Sequence, residues 1–451
     1  MLRPLRLTPF EEYMLVDDQP AYPMSCFFKI KLQGKFDVAV FTSALHDTLP
    51  SHPLLGSVVM ETNGRYFWRN TETMPVAARL PLETERCFPV SQGINLFHEP
   101  ALKVSVCNAN TNPAEGHLEG QTNLIFEVHH SASDAAGTAR FIEDVLCSYA
   151  QQTDFADTRT TIQRASVDPD LLRHRGIFRH NILRSMPKQF WGIFRAWKFL
   201  LNRVVPLTSE KLVDHQELSS NYPTILCREL TEEETQHVKQ KAKQLGMTIN
   251  DFFLCSTFLM MTKWRKEHVR NPKKGTLRIA VPVNLRTLAD ERMPAANVVS
   301  MVFLDRKPEK IQPTSSFYRG IHNEMQHIKR CGLGWTFIRG LTLYRRVFGN
   351  FRKMMRPDRC WATATVSNLG RLFADVPLPR RGGRVQIGDS LELIGVEALP
   401  PVRSSTALGI SVMTYADCLV INLHYDSAVL TRSDAQSMLQ DLWEVPCKDW
   451  V

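Results

Sequence analysis

Residues 126–137 read FEVHHSASDAAG, which sets His129 and His130 side by side with Asp134 four residues beyond the second. Residues of these types can move a proton. Neutral imidazole titrates near working pH, so it can take a proton from a hydroxyl, an amine or a thiol and return it later. Neighbouring side chains of an extended segment point to opposite faces, so one histidine is expected toward a cavity and the other in the packing. Asp134 lies across a turn and is too near in sequence to be assumed a triad partner. It can cap the following helix or pair with an arginine, and either arrangement keeps the imidazole in one rotamer. The competing reading is a strand edge whose polar residues are merely crowded.

The surrounding elements must place this motif at a strand-to-helix junction, where catalytic residues are commonly displayed. NLIFEVHH (123–130) reads as an apolar strand. After Gly137, TARFIEDVLCSYAQQ reads as an amphipathic helix with Phe141, Val145 and Tyr149 at spacings of four. Upstream, CFFKIKLQGKFD (26–37), RYFWRN (65–70) and LKVSVCNA (102–109) have strand character, and residues 39–55 form a helix that ends before His52 and Pro53. The polar run at 150–172 marks a lobe boundary. A second unit begins near 223, where TEEETQHVKQKAKQLG (231–246) carries a capping box from Thr231 to Glu234 and a closing Gly246. A more buried helix (247–267) follows. Strands are then expected at 277–286, 297–306 and 361–372, then a hairpin around Ala416 and Asp417 and a terminal helix. Strands and helices alternate in both halves, so the fold class is α/β. The expected units are 1–172, a basic aromatic connector at 173–222, and 223–451.

At 451 residues the chain suits two domains, or two similar lobes. No run of eighteen apolar residues offers a membrane span. The opening MLRPLRLTPFEEYMLVDD turns acidic too early for a secretory signal peptide. Ten scattered cysteines form no C-x-x-C pair, so neither a zinc site nor a disulfide framework is suggested and a reducing cytosol is expected. Charge is uneven: residues 1–170 carry −8 and the remainder +17, which asks for a negative partner or substrate. Residues 171–205 hold eight Lys/Arg and no acid, with Pro187 dividing two helices and Phe190, Phe194, Trp197, Leu201 and Val204 along one face. The stretch 336–359 repeats the style, with Phe337, Leu341, Tyr344, Phe348, Phe351 and Met355 as a stripe flanked by Arg339, Arg345, Arg346, Arg352 and Lys353. Such helices either pack on a core with solvated basic faces or attach to an anionic membrane at its inner face. They can also attract a phosphate-bearing donor or an acidic carrier protein. Nucleic acid ranks last, because no nucleic-acid motif accompanies the charge.

The motif His129, His130, Asp134 resembles the H-H-x-x-x-D-G signature of the acyltransferase superfamily of chloramphenicol acetyltransferases, peptide-synthetase condensation domains, alcohol acetyltransferases and wax ester synthases. HPLLGS (52–57), TINDFF (248–253), VPVNLR (281–286), SNLG (367–370) and LHYDSAVLT (423–431) are similar to its other landmarks, in order over nearly the whole chain. Ala135 stands where the family usually has glycine, with Gly137 placed to absorb part of the turn. The D-F-G-W-G segment of the plant branch is absent. The resemblance implies two mixed-sheet lobes with flanking helices that meet at a central tunnel. His130 would be the general base at its middle, and His129 would be structural. Asp134 would pair with Arg286 to hold the loop, and Asn368, with Ser367 beside it, would hydrogen-bond the developing oxyanion.

The expected activity is acyl transfer from a coenzyme A or carrier-protein thioester to an alcohol or amine, by direct attack. No metal or cofactor is needed beyond the acyl-thioester cosubstrate, and a monomer is expected because both lobes lie in one chain. The alternative is a non-catalytic binding module that recognises a carrier protein or a lipid. A hydrolase is set aside for want of a G-x-S-x-G elbow.

Overall fold

Two sheets carry the molecule, and the HHxxxD motif leaves from the end of a central strand of the first. The computed structural model describes residues 5–71, 73–75, 77–81, 88–109, 117–153, 166–176, 202–212, 217–355 and 359–444. The first sheet contains β1 (Ser25–Gly34), β2 (Ala77–Pro81), β3 (Leu102–Asn108) and β4 (Gln121–His129). The second contains β5 (Ile225–Glu229), β6 (Leu277–Asn284), β7 (Val299–Arg306) and β8 (Ala364–Arg371). Three strands close the series: β9 (Leu391–Leu399), β10 (Leu408–Tyr415) and β11 (Cys418–Tyr425). The orders are β9-β1-β4-β3-β2 and β5-β11-β10-β8-β6-β7. Both sheets are mixed: β2 runs parallel to β3, and β8 lies parallel to both β6 and β10.

β4 lies between β1 and β3, with Phe28 opposite Phe126 and Ser25 opposite His129. A strand hemmed in on both sides and covered on both faces must be apolar nearly throughout, which its sequence provides. Helices α1 (Pro9–Asp17), α2 (Val38–Thr48) and α3 (Ala135–Gln152) belong to this half of the chain. The rings of Phe41 and Phe141 both pack edge-on to Phe126, so α2 and α3 share one core with β4. In the second half α4 (Glu232–Gln244) and α5 (Ile249–His268) both start on capping boxes, from Thr231 to Glu234 and from Thr248 to Asp251. Helices α6 (Ser315–Arg330), α7 (Trp335–Phe348) and α8 (Arg432–Glu444) follow. The β10–β11 hairpin turns at Ala416 and Asp417, which have φ of 44° and 63°, the left-handed pair a two-residue hairpin needs. Among the described residues, no single helix is long and apolar enough to cross a membrane.

The boundary expected at 223 does not divide the sheets. β9 crosses into the first sheet and pairs with β1 over Leu391–Leu399. Phe373, Val385, Ile387 and Leu393 join the first core with it. The physical reason is a buried charge. Lys29 and Lys31 point from β1 into packed surroundings, and Glu397 of β9 answers both, with Lys29 Nζ 2.7 Å from its carboxylate. Cys227 of β5 donates its thiol to the same carboxylate at 3.0 Å, which ties the second sheet in. Burial pushes Glu397 upward, but the two lysines outweigh it and hold its pKa below the ordinary carboxylate value.

Helix α1 fastens the halves in the same way. Its three buried acids each meet an arginine from elsewhere: Glu11 with Arg175 at 2.7 Å, Glu12 with Arg345 at 2.7 Å, and Asp17 with Arg403 at 2.6 Å. Arg345, expected on a solvated basic face, is therefore part of the packing. Phe337 and Phe351 meet Tyr13 of α1 edge-on, while Phe348 lies exposed beyond them. The α7 helix stops at Gly349, which has φ of 79°, so the stripe expected through Met355 continues as a turn. The connector helices divided at Pro187 fall within 177–201, outside the described residues.

Candidate active site

The loop that carries His130 is held from three directions. The His129 N–H donates to Ala101 O at 2.9 Å and the His130 N–H to Met24 O at 2.7 Å, so the end of β4 is anchored to both neighbours. The third support comes from the second half of the chain. Asn297 Nδ2 donates to His130 O at 2.7 Å and to Ser131 O at 2.8 Å.

The two histidines differ as alternation in a strand requires. His129 is fully buried. Its Nδ1 accepts the Ser131 N–H at 3.1 Å, so in the neutral ring the proton is on Nε2, which faces Asp18 Oδ2 at 3.6 Å. His130 is half-buried, and its Nδ1 lies 3.1 Å from Ser133 O. A carbonyl can only accept, so this contact puts the proton on Nδ1 and leaves the Nε2 lone pair free. Burial holds the His130 pKa below the ordinary histidine value, against the opposing pull of Asp134.

Asp134 does not touch the His130 ring. It caps α3, with Oδ1 accepting the Gly137 N–H at 2.8 Å. Its Oδ2 accepts from Arg286 Nη1 and from the Val298 N–H, both at 2.8 Å. Arg286 Nη2 donates to Ala296 O at 2.9 Å, so one guanidinium ties the acid of the first half to the backbone of the second. Gly137 is needed for this approach: a Cβ there would lie 2.8 Å from Ala296 N and 2.7 Å from Ser133 Oγ. Ala135 is the first residue of α3 and has no left-handed φ, so alanine meets no backbone strain where the resembling motif has glycine.

Ser367 and Asn368 lie on β8. Ser367 is half-buried opposite Ser411, whereas Asn368 is exposed and its Oδ1 accepts the Gly370 N–H at 2.9 Å beside a bulge. No hydrogen bond among the described residues joins Asn368 to the HHxxxD loop, and its oxygen serves the local turn. Asn297 escaped the sequence reading. It heads the segment NVVSMVFLDR, whose pattern predicts only a strand opening, and β7 begins two residues later. Its signal was Ala295 and Ala296 before it, small enough for the chain to approach α3. Among the described residues, no group of three or more His, Cys, Asp or Glu could hold a metal ion.

These features define a class. The chain carries the chloramphenicol acetyltransferase-like condensation fold, in which two mixed-sheet halves meet beside an HHxxxD loop, and the motifs resemble that same superfamily. It is similar to the trichothecene 15-O-acetyltransferase of Fusarium sporotrichioides, with a TM-score of 0.72 at 12% identity over 98% of this chain and 94% of that one. It is also similar to the first condensation domain of the calcium-dependent antibiotic synthetase, with a TM-score of 0.68 at 16% identity over 99% and 97%. A third likeness is a mutant starter condensation domain of rhizomide synthetase in complex with C8-CoA and Leu-SNAC, with a TM-score of 0.65 at 13% identity over 98% and 94%. No family sequence profile and no curated protein matches the chain.

Arg286→Ala strands the buried Asp134 carboxylate and is expected to cost on the order of 3 kcal/mol in denaturant unfolding. Arg286→Lys should recover only part of this, because one ammonium cannot serve Asp134 and Ala296 with the same planar fork. Equal stability of the alanine variant and the parent would refute the clamp.

Proposed function

We propose that the protein transfers an acyl group from a coenzyme A or carrier-protein thioester to an alcohol or amine by direct attack. One observation carries this reading: His130 Nδ1 lies 3.1 Å from the Ser133 carbonyl, a contact that calls for the proton on Nδ1 and so leaves the lone pair on Nε2. That is the state a general base requires. The acceptor X–H gives its proton to Nε2 as X attacks the thioester carbonyl carbon. The tetrahedral oxyanion then expels sulfur, and the departing thiolate takes the proton back from His130. No covalent acyl-enzyme forms. Asp134 and Arg286 act as positioning residues, as do Gly137 and His129. Asn368 is the candidate oxyanion donor through Nδ2, since its Oδ1 is occupied, with Ser367 beside it. The names of the similar proteins, an O-acetyltransferase and condensation domains, support acyl transfer, and the complex with C8-CoA supports a thioester donor.

Thiol release from acyl-coenzyme A in the presence of mixed alcohols and amines is expected to depend on the acceptor and to fall roughly 10²–10⁴-fold in His130→Ala. Because burial lowers the His130 pKa, the base form persists through neutral pH. Activity should be lost only as pH falls below about 6.5. Release unchanged in the variant would overturn the mechanism, and no release with any coenzyme A donor would leave a carrier-bound donor or the non-catalytic module.

Attachment to an anionic membrane surface belongs to the same reading. Leu343, Val347 and Phe348 are 62%, 64% and 58% exposed at the end of α7, and exposed Arg346, Arg352 and Lys353 lie alongside. Residues 325–357 contain no acid, which suits negatively charged headgroups at about 1 kcal/mol per basic residue. The protein should sediment with vesicles containing phosphatidylserine and not with pure phosphatidylcholine. The double change Val347→Asp and Phe348→Asp should release it, and binding that ignores both lipid charge and this change contradicts the assignment.

A further inference from the structure

Helix α1 spends its three buried acids on arginines, but the residue that ends it is a fourth acid with a different use. Asp18 is the C-cap, where a negative charge meets the carbonyl end of the helix dipole and is disfavoured. An acid kept at such a place asks for a compensating contact, and Asp18 has two. Its Oδ1 accepts the Met24 N–H at 2.8 Å. Its Oδ2 lies 3.6 Å from Nε2 of His129.

The first contact leads to His130. Between Asp18 and Met24 the chain folds back through a turn in which Gln19 and Tyr22 exchange backbone hydrogen bonds of 3.3 and 2.9 Å. The Tyr22 hydroxyl donates to Asp426 of the second half at 3.0 Å, which anchors the turn. Met24 is buried and packs with Phe10, Tyr13 and Met14 of α1. Its carbonyl accepts the His130 N–H at 2.7 Å. One immobile residue therefore has Asp18 on its N–H and His130 on its carbonyl.

The second contact holds the ring of the other histidine. Nδ1 of His129 accepts the Ser131 N–H at 3.1 Å, so the neutral ring carries its proton on Nε2, and a buried N–H needs an acceptor. Glu127 shares that face of β4, but its two oxygens take the hydroxyls of Ser25 and Ser91, each at 2.7 Å. Among the described residues, Asp18 is the acid that faces Nε2. With the ring in this tautomer the Ser131 N–H, one residue beyond His130, stays bound. A ring protonated on Nδ1 would set one donor against another.

We propose that Asp18 is a positioning residue for the HHxxxD loop. One oxygen sets Met24 against the His130 N–H, and the other fixes the tautomer of His129. A turn brace alone would account for the first contact and leave the second without a purpose. Calling His130 the base that is positioned rests on the acyl-transfer reading, whereas the hold on the loop stands without it.

Asp18→Asn separates the two contacts. The amide oxygen can still accept the Met24 N–H, so the turn survives, but the group that faces Nε2 becomes a donor. Nitrogen-15 NMR should show His129 protonated on Nε2 in the parent and shifted toward Nδ1 in the variant. Hydrogen–deuterium exchange at the amides of His130 and Ser131 should quicken. Thiol release should fall roughly tenfold in kcat with KM little changed, as expected of a base held slightly out of place. The parent spectrum needs no variant to fold: a His129 ring protonated on Nδ1 there would overturn the proposal. So would a variant whose ring and amide exchange match the parent, or one whose ring changes while thiol release stays at the parental rate. A changed ring and faster exchange in a protein that releases no thiol would leave Asp18 in its role and count against transfer from coenzyme A.

Discussion

A carboxylate buried between the two halves needs donors on both oxygens, and Asp134 receives them from both sides. The first half of the chain gives it the N-terminus of α3 through the Gly137 N–H, and the second half gives it Arg286 and the Val298 N–H. Its geometry therefore exists only when the halves are docked. Asn297 of the second half holds the backbone carbonyl of His130, while the ring itself is held within the loop by Ser133 O. Gly137 permits the approach, and any side chain there would push Ala296 away. Arg286 is suited to the task because its planar fork serves a carboxylate and a carbonyl at once, a geometry an ammonium cannot copy.

The same device recurs around the seam. Glu11, Glu12 and Asp17 hold arginines from three distant segments, and Glu397 holds the two lysines of β1. Buried pairs of this kind add little net stability over apolar packing, yet removing one partner is costly because the other charge is left behind. Their value here is in specifying one arrangement: each pair joins segments far apart in sequence, and a misdocked half would strand several charges together.

Much of the frame was legible in the residues. The apolar run of β4, the helix after Gly137, the capping boxes at Thr231 and Thr248, and the turn at Ala416 and Asp417 each announce themselves through local chemistry, and the structure places them within a few residues. What stayed hidden depends on partners far away. In LELIGVEAL the glutamates at 392 and 397 break the apolar pattern of a core strand, and only Lys29 and Lys31 explain Glu397. Helix α1 read as an acidic opening, because its acids have meaning only beside Arg175, Arg345 and Arg403. Asn297 looked like the start of a strand, since its carbonyl partners lie on the loop of the other half. Asn368, in turn, spends its oxygen on a local bulge that SNLG alone does not reveal.

The charge asymmetry of the chain acquires a physical sense in this arrangement. The acidic first half supplies Asp134 and the three buried acids of α1, and the basic second half supplies their arginines and the exposed rim of α7, while Glu397 and its two lysines run the other way. Proton transfer at this site turns on which ring nitrogen of His130 carries the hydrogen. Nitrogen-15 NMR of the His130 ring at neutral pH, assigned against His130→Ala, should show a neutral imidazole protonated on Nδ1 with Nε2 bare. A ring protonated on Nε2, or a cation at that pH, would contradict the account.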